Sequence, residues 1–326
     1  MADAARLSTA HGVDLLLDAN SAFGLLVDLA VWPQLFPAVI HTELLEEVGT
    51  RQLGRIWSVA DGCPRMWASA RTLDWDRRSI GFRRLGSVDP PAFVSGEWRV
   101  VDRGNGRCRV MLRQDSTAEV ASRAKEAVLR EQLGAASVEQ LQALGVSVHT
   151  GSVHADLQIS VASTALLPGG SAGRAIALCE QEALWRRLPL AGARVRAESG
   201  PWVADGHRVT CVDLGPAEPE DRRPARRIMQ IAPFGAHELV FKELDPPPSV
   251  AAHTGRWTAD PTGPGSVAVT VRRVVTLDAV GLFAQFGPDV TLPRAREQLR
   301  AAILAEDALL LEGLRDAAPG TGGGRS

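Results

Sequence analysis

The chain has 326 residues, 45% of them hydrophobic and 23% charged, which is the balance of a soluble globular protein with room for about two domains. A formal net charge of -2 offers no field for nucleic acid or anionic lipid, and no run reaches the ~18 apolar residues of a membrane span. The N-terminus lacks a signal-peptide core, and the scattered Cys63, Cys108, Cys179 and Cys211 show no metal-ligand spacing, so a cytoplasmic protein without metal or cofactor is expected.

Residues 13–18 form an apolar run that reads as a strand. Asn20-Ser21 then offers an N-cap to a helix over 22–31, closed by Trp32-Pro33-Gln34-Leu35-Phe36-Pro37, because each proline disfavours the helical region in the residue before it. Six strands follow, at 40–47, 53–60, 66–73, 79–85, 93–101 and 108–115, separated by turn residues such as Gly104-Asn105-Gly106. A helix over 118–144 comes last, its apolar residues Val128, Leu133, Val138, Leu141 and Leu144 near helical spacing and Gly134 a point of weakness. A curved antiparallel sheet around a long helix is an α+β arrangement that leaves a cavity between the two.

The same order then recurs: a strand at 153–161, a helix over 171–187, six strands at 193–198, 207–214, 225–231, 238–244, 252–259 and 267–277, and a helix over 292–314. Phe82 and Phe241, Gly96 and Gly255, and Trp98 and Trp257 are each 159 residues apart, while Trp32 and Trp185 are 153 apart. Two copies of one domain are expected, at 1–148 and 152–318, with the glycine-rich 319–326 as a disordered tail.

Chemistry concentrates on the strand at 66–73. Alternation puts Trp67, Ser69, Arg71 and Leu73 on one face. A guanidinium among apolar neighbours is costly unless it has partners or a ligand, so Arg71 is a candidate for function, the bland alternative being an ion pair or a side chain reaching water. The 159 offset pairs Arg71 with Gln230 and Gln114 with Arg273, so the cation changes strand between copies. In the second copy, alternation sets His253, Gly255 and Trp257 on one face and Thr254 and Arg256 on the other. His253 is then an acid/base candidate or a hydrogen-bonded structural histidine, and Trp98 and Trp257 are cavity walls or plain core.

Taken together, Trp32-Pro33-Gln34-Leu35-Phe36-Pro37, Arg55-Ile56-Trp57, the stretch from Trp67 to Asp74, Gly96-Glu97-Trp98, Leu239-Val240-Phe241-Lys242 and His253-Thr254-Gly255-Arg256-Trp257 resemble the two-domain aromatase/cyclases of bacterial type II polyketide synthases over roughly residues 12–316. The resemblance implies tandem helix-grip (START/Bet v1-like) domains, each a curved seven-stranded antiparallel sheet around a long C-terminal helix. It also implies C7–C12 aldol closure of the first ring of a poly-β-ketone, dehydration to an arene, or both. The chain would arrive on an acyl carrier protein, with ketosynthase/chain-length factor and ketoreductase as further partners. Arg71 matches the family's pocket arginine, with Ser69 and Gln114 as its polar companions. Where several relatives carry histidine this chain has Gln114, which can position a substrate but not serve as a base. Trp32 and Phe36 would line the mouth, and Trp67, Trp98, Gln230, Arg256 and Trp257 the substrate surface. His253 and Arg273 would be the polar groups of the second copy. The rival reading is a non-catalytic carrier of a lipid or polyketide-type ligand.

Overall fold

In the computed structural model, residues 4–60, 62–85, 93–119, 123–150, 155–188, 193–198, 207–215, 226–234 and 237–318 are described. The chain divides into two compact units, Met1–Val153 and His154–Ser326. In the first, strands β1 (Ala4–Leu15), β2 (Val39–Val48), β3 (Arg51–Ala60), β4 (Cys63–Asp74), β5 (Ser79–Leu85), β6 (Phe93–Gly104) and β7 (Arg107–Glu119) accompany helices α1 (Ala19–Val27), α2 (Trp32–Leu35) and α3 (Arg123–His149). The strands make one sheet in the order β1-β7-β6-β5-β4-β3-β2, antiparallel throughout.

The second unit repeats the plan with β8 (Gln158–Pro168), α4 (Ala172–Cys179), α5 (Glu182–Trp185), β9 (Ala193–Glu198), β10 (Arg208–Leu214), β11 (Arg226–Phe234), β12 (Glu238–Glu243), β13 (Val250–Gly263), β14 (Ser266–Leu277), α6 (Ala279–Phe286) and α7 (Leu292–Ala317). Its sheet runs β8-β14-β13-β12-β11-β10-β9. The α+β class and the seven-stranded antiparallel sheets with closing helices are those expected. Among the described residues no helix is long and apolar enough to cross a membrane.

Several boundaries differ from the sequence-based ones. β1 begins nine residues earlier than expected, at Ala4, because backbone pairing with β7 along its whole length orders a stretch whose large apolar residue is Leu7 alone. The same cause carries β8 on to Pro168, against β14. The cap of α1 is Asp18, whose Oδ1 accepts from the Asn20 and Ser21 amides at 3.1 and 2.9 Å, so Asn20 and Ser21 lie inside the helix. That helix stops at Val27. Trp32-Pro33 starts a separate turn, where the missing proline N–H costs nothing. The single helix expected over 171–187 is likewise two, α4 and α5. Helix α6, capped by Asp278, has no counterpart among the described residues of the first copy and was not expected. Gly134 does not break α3; a methyl group there would stand 3.4 Å from the His11 ring, so the glycine lets helix and strand approach. The proposed 319–326 tail lies outside the described residues.

The cores lie on the helix-facing side of each sheet. Leu73, Ile80, Trp98, Val100, Leu112, Leu141 and Leu144 gather in the first unit, and Leu239, Phe241, Trp257, Val269, Val271, Leu310 and Leu314 in the second. The strand registers carry the 159 offset: Ser69 faces Arg84 as Ile228 faces Glu243, and Gly96 faces Gln114 as Gly255 faces Arg273. Phe82 lies over Gly96 and Phe241 over Gly255. A methyl group at either glycine would collide with that ring and with the Arg113 or Arg272 carbonyl, so each glycine is a close-approach position.

Candidate functional site

Alternation on β4 works as expected: Ser69, Arg71 and Leu73 are buried and Trp67 half-buried, all toward the helices. The Arg71 guanidinium reaches the end of α1. Its Nη1 donates to Val27 O at 3.0 Å and to Gln52 Oε1 at 2.8 Å, and its Nη2 donates to Leu26 O. The last carbonyls of a helix lack intrahelical partners and form the negative end of its dipole, so a cation there is doubly favoured. Trp32 joins the same point. Its Nε1 donates to Leu26 O at 3.3 Å, and Arg71 lies 5.3 Å from its ring centre. Burial pushes Arg71 down to about 10, with Asp28 and Glu47 opposing, so it stays charged at neutral pH.

A cavity of about 40 Å³ opens beside this cluster, room for a few waters at roughly 10–15 Å³ each. Its apolar walls are Trp32, Ile56, Trp67, Phe82 and Trp98, and its polar walls Ser69, Arg71, Arg84, Gln114 and Gln140. Gln114 Oε1 accepts from the buried Ser137 hydroxyl at 2.7 Å, which turns the amide NH2 toward the cavity. Arg84 and Gln140 were not anticipated from sequence. Arg84 could have been: Ile80, Phe82 and Arg84 alternate along β5, and the first two are plainly inward residues. Gln140 carries no comparable signal. Phe36 requires a correction. It is buried behind Trp32, at 5.2 Å edge-on, and faces Trp98 at 6.3 Å, so it backs the wall instead of lining it.

In the second unit Gln230 takes the place of Arg71, with Nε2 donating to Cys179 O at 3.3 Å; the Trp185 Nε1 donates to that same carbonyl at 2.9 Å. The helix-end clasp is thus preserved without a charge. Other polar residues of this unit gather around the buried carboxylates of Glu243 and Asp307. Arg226 meets both oxygens of Glu243 at 2.6 and 3.1 Å and Glu306 at 2.6 Å. His253 Nδ1 lies 2.7 Å from Glu243 Oε2. Arg273 lies 3.2 Å from Glu306 Oε2 and 2.6 Å from Asp307 Oδ1. Ser163 donates to Asp307 at 3.1 Å. Burial lowers the His253 pKa despite Glu243, so the ring is neutral and donates from Nδ1. Burial works against ionised Glu243, but the bond to His253 and the charge of Arg226 hold it down to about 2.

His253 and Arg273 are therefore engaged by carboxylates of the protein, and Trp257 is fully buried core. Arg256 is corrected outright. Its side chain is 47% exposed and pairs with Glu238 at 2.7 Å, because alternation sends it to the face opposite His253 and Trp257.

No family model matches the chain. It is 29% identical over 294 residues to the granaticin polyketide synthase bifunctional cyclase/dehydratase of Streptomyces violaceoruber, covering 90% of this chain and 88% of that protein. It is 29% identical over 306 residues to the actinorhodin polyketide synthase bifunctional cyclase/dehydratase of Streptomyces coelicolor, covering 92% and 93%. The crystal structure of the di-domain ARO/CYC BexL, from the BE-7585A biosynthetic pathway, matches with a TM-score of 0.79 at 26% identity over 95% of this chain and 98% of that one. Over nearly its whole length the chain is similar to polyketide synthase cyclase/dehydratases and to a di-domain aromatase/cyclase. The fold of another such protein, StfQ from the steffimycin pathway, matches at a TM-score of 0.70 and 20% identity, covering 95% of this chain and 98% of that one. In this chain the cavity described above is in the first unit, and the positions matching its Trp67, Arg84 and Gln114 carry Arg226, Glu243 and Arg273 in the second.

Proposed function

We propose that this aromatase/cyclase closes and dehydrates the first ring of a carrier-protein-bound poly-β-ketone, and that the first unit carries the reaction. The observation behind the assignment is a cavity that joins aromatic walls to a hydroxyl, two amides and guanidinium charge, whereas the matching positions of the second unit are joined in ion pairs. A carbon between two carbonyls is already acidic, so the enzyme's work is to fold the chain and steady charge. The enolate carbon attacks a ketone carbon, a C–C bond forms, and the alkoxide takes up a proton. Loss of a neighbouring C–H proton and of hydroxide, together water, then leads to the arene. In this reading Ser69 and the Gln114 amide hold the ketone oxygen as charge develops on it. Arg71, with three of its donors on the protein, keeps α1 and Trp32 against the cavity. The second unit acts as a support in this reading.

The carrier alternative is disfavoured by the buried polar groups on the cavity wall, which a purely apolar ligand would leave unpaired. Reconstitution with a ketosynthase pair and loaded carrier protein, with and without a ketoreductase, is the test. Adding the protein should convert spontaneous shunt products into ring-closed aromatic ones. An unchanged product profile in both arms would reject the enzyme reading.

A further inference from the structure

The cavity beside Arg71 holds about 40 Å³, far below the roughly 300–1,000 Å³ of sites that enclose a small molecule. A ketone chain and the arm that carries it need more room. The first unit has that room on the far side of one hydrogen bond. A groove of about 950 Å³ runs between β1 and α3, lined by Thr9 and His11 on one side and by Ala127, Gly134, Ala135 and Val138 on the other. Thr9 pairs across the strands with Gln114, so their side chains stand side by side on one face of the sheet. Gln114 lines the cavity and accepts from Ser137, the residue before Val138. Cavity and groove therefore meet at the Gln114–Ser137 bond.

The second unit closes the same passage. Val161 stands for Thr9, since it pairs with Arg273 as Thr9 pairs with Gln114, and it is buried in an apolar cluster with Ile303 of α7. Ser163, in the place of His11, is bonded to Asp307. Gly134 and Leu304 occupy matching places on the two helices, each ten residues before the core leucines Leu144 and Leu314. Arg296, matching Glu126, ties α7 to the carbonyls of Asp156 and Gln158 at the start of β8. Glu126 instead meets Arg130 of its own helix at 2.7 Å.

The open groove has a definite chemistry. Its charged residues are Glu126 and Arg130, which neutralise each other, and Glu131, exposed at the rim. The Thr9 hydroxyl is buried and has no hydrogen-bond partner among the described residues. An extended, uncharged chain with polar groups at intervals fits such a lining.

We propose that this groove holds the pantetheine arm that tethers the substrate to its carrier protein, with Gly134 keeping the passage open and Thr9 meeting one of the arm's amides. This rests on the cyclase reading and adds to it the path by which a tethered chain reaches the cavity. The arm carries two amides joined by short methylene runs. The methylenes lie against the alanines and Val138, and the amides, which a purely apolar slot would leave unpaired, find the Thr9 hydroxyl and the His11 ring. The phosphate end stays outside with the carrier, and the thioester end arrives at Gln114 and Ser137. Parting that single neutral hydrogen bond joins the two spaces. A leucine at 134 would lie across the groove, since its first side-chain carbon alone stands 3.4 Å from the His11 ring.

The test titrates the full chain with pantetheine by calorimetry. Wild type should bind it. Gly134→Leu, which installs the second unit's residue, should weaken binding about tenfold or more by filling the space. Thr9→Val should weaken it about threefold to tenfold, the worth of one neutral hydrogen bond. Neither should lower the melting temperature. In the reconstituted synthase, Gly134→Leu should raise KM for the loaded carrier protein about tenfold with a smaller effect on kcat, a split that a change in helix stability alone does not produce. Failure of wild type to bind pantetheine while it still forms ring-closed product overturns the groove site and leaves the cyclase reading intact. Pantetheine binding that both variants weaken, with products unchanged by the protein, supports the groove and overturns the cyclase reading. Binding that neither variant weakens puts the arm elsewhere and overturns the proposal. So does binding of octanoate, sensitive to Gly134→Leu, without binding of pantetheine, which would assign the groove to an apolar tail.

Discussion

Replacing Arg71 by methionine should loosen the first unit before it touches chemistry. Three hydrogen bonds from the guanidinium are lost, to Leu26, Val27 and Gln52; at about 2 kcal/mol each for a charged donor they amount to about 6 kcal/mol. Part of this is returned. Burial holds the guanidinium down to about 10, a desolvation penalty of about 3 kcal/mol at ~1.4 per decade, which methionine does not incur. The Trp32 Nε1 still serves Leu26 O, so one carbonyl stays satisfied. The net loss is about 3 kcal/mol, or roughly 6–12 °C in the melting temperature of a unit this size. Calorimetry of the full chain, with hydrogen exchange on the α1 amides, reads both the loss and its place. Arg71→Lys should lie between, because one ammonium cannot span three acceptors. An Arg71→Met protein with wild-type melting and undiminished α1 protection would refute the helix-end clasp.

The second unit should lose stability in acid in two stages. His253 is kept neutral by burial, so the unfolded chain takes up a proton below about 6.5 that the fold refuses, and stability falls as pH drops through that value. Glu243, ionised in the fold down to about 2, adds about 3 kcal/mol that is present above the ordinary glutamate pKa and lost as pH falls from there through about 2. Urea midpoints between pH 7.5 and 5 should flatten in His253→Phe; the same slope in both proteins would contradict the first stage. Arg273→Met should cost about 1–3 kcal/mol, because Asp307, left without its cation, can take up a proton and stay as a neutral acid with Ser163 as its partner, and Asp307→Leu in the same chain should recover part of it; additive losses in chemical denaturation would count against the pairing. Gly255→Ala should destabilise by about 1–3 kcal/mol through Phe241 and the Arg272 carbonyl, and Phe241→Leu should relieve part of it; a neutral Gly255→Ala would rule out the close approach.

The duplication was legible because Phe82, Gly96 and Trp98 and their partners keep one offset across strands whose register cannot slip without turning every side chain over. Strand order followed from alternation and turn residues. What failed were features fixed by tertiary pairing or by one side chain: the length of β1, set by β7, the break between α1 and α2, set by Asp28 and the Trp32-Pro33 turn, and α6. At the site, alternation correctly turned Trp67, Ser69 and Arg71 inward. It could not show that Arg71 ends on helix carbonyls, since Leu26 and Val27 lie more than forty residues away in sequence. Arg84 was missed although the same alternation applies to β5, and the ion pairs around Arg273 were hidden because Glu306 and Asp307 come from α7.

The Gln114–Ser137 bond and the Arg273–Asp307 pair occupy corresponding places, Ser137 and Asp307 each seven residues before the core leucines Leu144 and Leu314. This restricts the order in which one interior can be rewritten as the other. An aspartate set alone in that place can stay as a neutral acid; burial already raises the Asp307 pKa against the pull of Arg273. A guanidinium set there alone has no such escape, because it holds its proton at neutral pH. The passable route runs through the acid first and the arginine second. Anyone converting the first unit's interior to the second's pattern should therefore introduce Ser137→Asp before Gln114→Arg, and reopening the second should begin with its arginine.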